Sequence, residues 1–150
     1  MTYKRILVPV DGSKPSNLGL REAIRLARGQ RAKLQLVHIV DQHYALMSAP
    51  EAGTQIGAVI QALKQGGRRI LRTAEARVKT QHVPCSSVLL ETMAGPAADL
   101  IVRQAKKWGA NLIVLGTHGR RGVSRLVMGS DAEQVVRTSP VPVMLVRAKK

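Results

Sequence analysis

The sequence predicts an open, doubly wound α/β domain: a parallel five-stranded sheet with helices on both faces. Three observations carry this. The strand-like runs are continuously apolar rather than alternating, which suits strands buried on both faces. Amphipathic helical stretches separate them, as crossover connections require. The length of 150 residues fits one domain, and no linker or internal repeat divides it.

Each element can be placed in order. Tyr3 to Val10 is the first strand, ending at Asp11-Gly12-Ser13. Pro9 has no amide to donate, so it belongs near the strand end. Ser13, Pro15 and Ser16 open a helix whose apolar stripe is Leu20, Ala23, Ile24 and Ala27, with Gly29 as its expected stop. Lys33 to Val40 is the second strand. Residues 41–57 lack a period, contain Pro50 and Gly53, and are expected to form a long loop. Ala58 to Gln81 is a long helix with Leu63, Ile70, Ala74 and Val78 inward and Gly66-Gly67 as a weak point. Ser86 to Thr92 is the third strand. Gly95-Pro96 opens a helix that turns Ala98, Ile101, Val102, Ala105 and Trp108 inward and ends at Gly109. Asn111 to Gly116 is the fourth strand, a glycine-rich stretch runs to Gly129, and Ser130 begins a short helix through Val136. Val141 to Val146, interrupted by Pro142, is the fifth strand. With strand order 3-2-1-4-5 that last strand is an apolar sheet edge, which invites pairing with another chain.

In such sheets ligands sit at the carboxyl ends of the strands, where strand order reverses. The chemistry is therefore expected just after Val10, Val40, Thr92 and Leu115.

Charge is the compositional outlier, with 24 Lys+Arg against 9 Asp+Glu and a net of +15. Such a surface attracts phosphates and other polyanions. One Trp, two Tyr and no Phe leave little for bases to stack on, which argues against single-strand nucleic-acid recognition. Charge alone still allows nonspecific nucleic-acid association at low salt. The basic side chains of the first helix (Arg21, Arg25, Arg28) and second helix (Arg68, Arg69, Arg72) lie mostly off the apolar stripes and are read as a solvated face. No apolar run is long enough to cross a membrane. No signal peptide is expected, and the single Cys85 fits a reduced, cytoplasmic setting.

The functional signal is Gly116-Thr117-His118-Gly119, followed nine residues later by Gly129-Ser130. Glycines let a backbone turn tightly and approach an anion with its amides. Ser130 stands at a helix start, where free amides and the dipole favour negative charge. Arg120, Arg121 and Arg125 can add charge-assisted bonds. Ser130-Asp131-Ala132-Glu133 also fits a capping box, a purely structural role. The spacing leaves both open. It is neither the P-loop nor the dinucleotide fingerprint.

The chain resembles the universal stress protein family along nearly its whole length, and residues 1–150 are expected to be one such domain with a Rossmann-like fold. The resemblance rests on Ile6-Leu7-Val8-Pro9-Val10-Asp11-Gly12-Ser13, on Leu36-Val37-His38-Ile39-Val40, and on Ile113-Val114-Leu115-Gly116-Thr117-His118-Gly119 with Gly129-Ser130. The tail from Val135 to Val146 also matches. The complete Gly-x2-Gly-x9-Gly-Ser motif resembles that of the family's ATP-binding members. The resemblance implies that Pro9 and Val10 belong to the adenine pocket and that Val40 holds adenine through its backbone. Asp11 lies near the ribose or a metal such as Mg2+. Gly116, Gly119, Gly129 and Ser130 cradle the triphosphate, with His118 and Arg120 within reach by sequence. It also implies a homodimer through the C-terminal strand, Val141 to Val146. Asp131 departs from the small or apolar residue often found there. It either faces the phosphates or only favours the helix start.

Asp11 alone could be a turn or cap residue; its place at the switch point favours a ligand contact. His38 is read as a satisfied core residue, and the histidines and Cys85 show no metal-ligand spacing. No hydrolase constellation is present, so at most a slow ATPase could arise from Asp11, a metal and a positioned water. The expected function is that of an ATP-binding stress-response sensor or regulator. The alternatives are a regulatory interaction module without nucleotide and a charge-driven anion or nucleic-acid binder.

Overall fold

The computed structural model describes residues 2–48, 55–117 and 129–148. Its elements follow one another as β1 (Arg5–Pro9), α1 (Lys14–Gln30), β2 (Lys33–Asp41), α2 (Gln42–Ser48) and α3 (Ile56–Thr80). Then come β3 (Cys85–Thr92), α4 (Ala97–Trp108), β4 (Leu112–Gly116), α5 (Ser130–Thr138) and β5 (Val143–Val146). The five strands form one sheet in the order β3-β2-β1-β4-β5, every pair parallel. The expected architecture and strand order are both present.

The two sheet faces bury different halves of each strand. Ile6, Val8, Leu34, Leu36, Leu112 and Val114 pack under α1 and α3. Leu7, Val37, Ile113 and Leu115 pack under α4 and α5. Because side chains alternate along a strand, one apolar run serves both layers. This is why the strands read as unbroken apolar segments.

Several expectations are corrected. Gly29 does not stop α1. The helix runs on to Gln30, and Arg31 closes it in the left-handed conformation at φ 53°, its amide donating to the Ala27 carbonyl. The stretch expected as loop from 41 to 57 holds α2, and β2 extends through Asp41. In α3, Leu63 and Ile70 are only half-buried, and the core contacts come from Gly67, Leu71, Ala74 and Val78. Trp108 is half-buried, with the Arg5 guanidinium 4.8 Å from its ring centroid. The fifth strand begins at Val143, just past Pro142, whose carbonyl accepts from the Ile113 amide at 3.0 Å.

Gly67 is no weak point. A Cβ there would stand 2.6 Å from His38 Cδ2 and 2.7 Å from a Leu89 methyl. The missing side chain is what seats α3 on β2 and β3. A second close approach joins α1 to the end of β4. A Cβ on Gly116 would lie 2.2 Å from the Pro15 carbonyl oxygen, and one on Gly19 would lie 2.9 Å from the Gly116 amide nitrogen.

Candidate functional site

The carboxyl end of the sheet gathers the residues singled out in the sequence. β1 stops at Pro9, opposite Val37 of β2, and the Val10 amide makes one more bond to the Val37 carbonyl at 2.8 Å. β2 then continues through His38, Ile39, Val40 and Asp41 with no β1 residue beside it. A shelf of β2 backbone therefore stands next to Val10 and Asp11. Val40 is buried within that shelf and lies opposite Glu91 of β3.

A tight network sets the β1–α1 turn. Gly12 takes φ +79°, a region favourable to glycine. Asp11 Oδ1 accepts the Ser13 amide at 2.9 Å, Ser13 Oγ accepts the Ser16 amide at 3.2 Å, and Ser16 Oγ accepts the Asp11 amide at 3.0 Å. Ser13 is the N-cap of α1. Asp11 thus makes the Asx turn that was its structural alternative, and its side chain is half-exposed.

His38 is buried, as expected for a core residue. Its Nδ1 stands 2.8 Å from the Val10 carbonyl oxygen. A carbonyl only accepts, so Nδ1 carries the proton. This bond pins the backbone of Val10 at the point where β1 leaves the sheet.

On the other side of the switch point, β4 ends at Gly116 and the buried Thr117 follows. The Thr117 amide donates to the Val146 carbonyl at 3.1 Å, and its carbonyl accepts the Gly129 amide at 3.2 Å. The α5 start is thereby tied to the end of β4. Gly129, not Ser130, is the N-cap of α5, and no side chain caps it. The capping-box role of Ser130 is overturned: Ser130 is the first helical residue and is exposed. Asp131 and Glu133 lie in the exposed first turn, where negative charge suits the dipole.

The two motif glycines differ in what holds them. Gly116 is required by the packing of α1. At Gly129 a Cβ would meet, among the described residues, only the Thr117 carbonyl, at 3.8 Å. His118, Gly119, Arg120, Arg121 and Arg125 lie outside the described residues.

A cleft of ≈ 410 Å³ opens beside the turn, between the start of α1 and α3. Val10, Gly12 and Asn17 form one side, with Arg69, Ile70 and Arg77 opposite. Asn17 and Arg77 were not singled out in the sequence. The signal was present: Arg69, Thr73 and Arg77 recur at four-residue spacing, one helical face beside the buried stripe. Among the described residues no cluster of three His, Cys, Asp or Glu could hold a metal. Asp11 could contribute one carboxylate to a Mg2+ ion carried mainly by phosphate oxygens, the usual way that ion binds. No helix among the described residues is long and apolar enough to cross a membrane.

Known proteins share this arrangement. The chain is 32% identical to a universal stress family protein from Burkholderia pseudomallei of known structure, covering 97% of each chain with a TM-score of 0.79. It is 31% identical to a universal stress protein of Methanocaldococcus jannaschii, over 99% of this chain and 84% of that one. A universal stress protein from Archaeoglobus fulgidus, solved in complex with dAMP, is 26% identical, with 97% and 98% coverage and a TM-score of 0.65. The model of the universal stress protein family matches residues 2–147. By that match across almost its full length, the chain belongs to the universal stress protein family.

Proposed function

We propose that the protein binds ATP at the carboxyl end of the sheet and acts as a stress-response nucleotide sensor or regulator in the cytoplasm. The observation that carries this is the start of α5. Among the described residues nothing packs closely on Gly129, and Ser130 offers an exposed side chain at the first helical position, both tied to the end of β4 through Thr117. A helix start with its dipole, and a glycine that leaves room for an anion, suit a phosphate.

In this reading Pro9, Val10 and the β2 shelf around Val40 receive the adenine, and Asp11 faces the ribose or a Mg2+ ion on the phosphates. Gly116 shapes the floor, and Gly129 and Ser130 hold the phosphates, with Gly119, His118 and Arg120 completing the cradle. The A. fulgidus relative with dAMP supports an adenine nucleotide as the ligand class. The role is binding rather than turnover. The protein pairs with a second copy through β5, whose outer edge has no partner strand among the described residues and whose four residues are only half-buried.

Titration calorimetry with ATP, with and without Mg2+, tests the binding. Saturable binding and a rise in melting temperature with ATP are expected, since a ligand that binds only the native state stabilises it. No heat and no thermal shift from any adenine nucleotide would refute the proposal. Sedimentation at tens of micromolar tests the dimer; a monomer there would remove it.

A further inference from the structure

Only part of the +15 net charge can serve the nucleotide site. The α1–α3 face holds a second basic feature. Both helices pack on the sheet, but no extensive contact joins them to each other. A groove of ≈ 610 Å³ runs between them, and it shares Asn17 and Arg77 with the cleft beside Gly12. Arg21, Arg25 and Arg28 line it from α1, and Arg77 lines it from α3. Arg69 continues the same wall into the cleft. Arg28 Nη1 donates to Gln81 Oε1 at 3.0 Å and bridges the far end. Glu22 is the one acid among the lining residues, and it is engaged by Arg25 at 2.5 Å. From Arg69 to Gln81 the α3 wall is roughly 18 Å long at the rise of an α-helix.

We propose that this groove is a binding site for a linear, base-free polyphosphate chain. The cations are all arginines, whose planar fork pairs bidentately with phosphate. They recur along two facing walls, as a repeating anion needs. Arg21, Arg25 and Arg28 all stand exposed along the α1 wall, so charge is available for recognition. No aromatic residue is among the described residues lining the groove, so the bases of a single-stranded nucleic acid find no stacking platform in these walls. The site does not depend on nucleotide binding at the sheet end.

The test is titration of sodium polyphosphate into the full chain at 50 and 200 mM salt, in parallel with a single-stranded oligonucleotide of matched phosphate number. Binding steeply weakened by salt is expected, tighter for polyphosphate than for the oligonucleotide. Replacing Arg21, Arg25 and Arg28 together by Ala should weaken it at least tenfold and lower the log–log salt slope by about two. Replacing Arg103, Lys106 and Lys107 of α4 by Ala removes the same charge elsewhere and should leave the affinity within about twofold of wild type. Arg21→Gln alone, at an exposed position, keeps the test valid should the triple variant fail to fold, and should weaken binding severalfold. Equal losses in the two triple variants would mean net charge alone. Preference for the oligonucleotide would make the groove a nucleic-acid site. Either result, or no binding at 50 mM salt, overturns the proposal.

Discussion

The carbonyl of Pro15 lies where a side chain on Gly116 would have to be, 2.2 Å from the position of its Cβ. The first glycine of the Gly-x2-Gly-x9-Gly-Ser motif is therefore a packing residue between β4 and α1, whatever else it does. Gly116→Ala should push the α1 start off the sheet. Backbone overlap of this kind is expected to cost about 3 kcal/mol, roughly 6–12 °C in melting temperature at this chain length. Thermal unfolding followed by circular dichroism measures it.

Gly129→Val should behave in the opposite way. Among the described residues a Cβ there meets only the Thr117 carbonyl at an ordinary contact distance, and φ is an ordinary −55°, so the expected loss is about 1 kcal/mol from a poorer N-cap. Its branched side chain would occupy the space assigned to a phosphate, so ATP should no longer raise the melting temperature. A variant that melts normally and still responds fully to ATP would move the phosphates away from the α5 start.

Two neighbouring glycines in α3 should respond with opposite signs. Among the described residues Gly66→Ala meets nothing nearer than an Arg69 nitrogen at 3.9 Å, and it should stabilise the helix by about 1 kcal/mol. Gly67→Ala would collide with His38 and Leu89 and should destabilise by about 1–3 kcal/mol. Chemical denaturation of the pair gives both numbers.

The pattern of what the sequence revealed follows from these contacts. The strands and their order were legible because burial on two faces leaves no polar positions to confuse the period. Ser13 was legible as a helix start because capping is local. Gly67 was read as a defect because the residues it accommodates, His38 and Leu89, are distant in sequence. The α1 stop was misplaced at Gly29 because Arg31 takes up the left-handed turn that glycine usually supplies. At the site, Asp11 and the Gly129-Ser130 pair were found at the strand ends where the switch-point rule put them. The walls of the α1–α3 groove were not found, since helix periodicity says which side chains avoid the core but not which of them face one another.

Arg31→Gly follows directly. A non-glycine residue at φ 53° is strained, so glycine there should gain about 1 kcal/mol. A rise of roughly 2–4 °C in melting temperature is expected.

Cys85 supplies a pH test. Burial, aided by Glu75 and opposed by Lys79, pushes its thiol up from the ordinary 9.0 to about 11. A thiol whose folded pKa is raised stabilises the fold fully below its ordinary pKa, and that contribution fades as pH rises through about 11. Iodoacetamide labelling of the native protein should be slow at pH 8 and should rise with a midpoint near 11. A midpoint near 9 would mean that β3 leaves this edge open to water.

The lone tryptophan has a practical meaning for all of these measurements. Trp108 ends α4 beneath Arg5, the first residue of β1, and so sits at the amino-terminal end of the sheet. Its fluorescence reports unfolding from the end of the sheet opposite the proposed nucleotide site. It should stay silent when a ligand simply occupies the opposite end. An emission change on adding ATP would therefore be a signal carried across the sheet, and the protein would contain its own optical gauge of whether binding is felt at a distance.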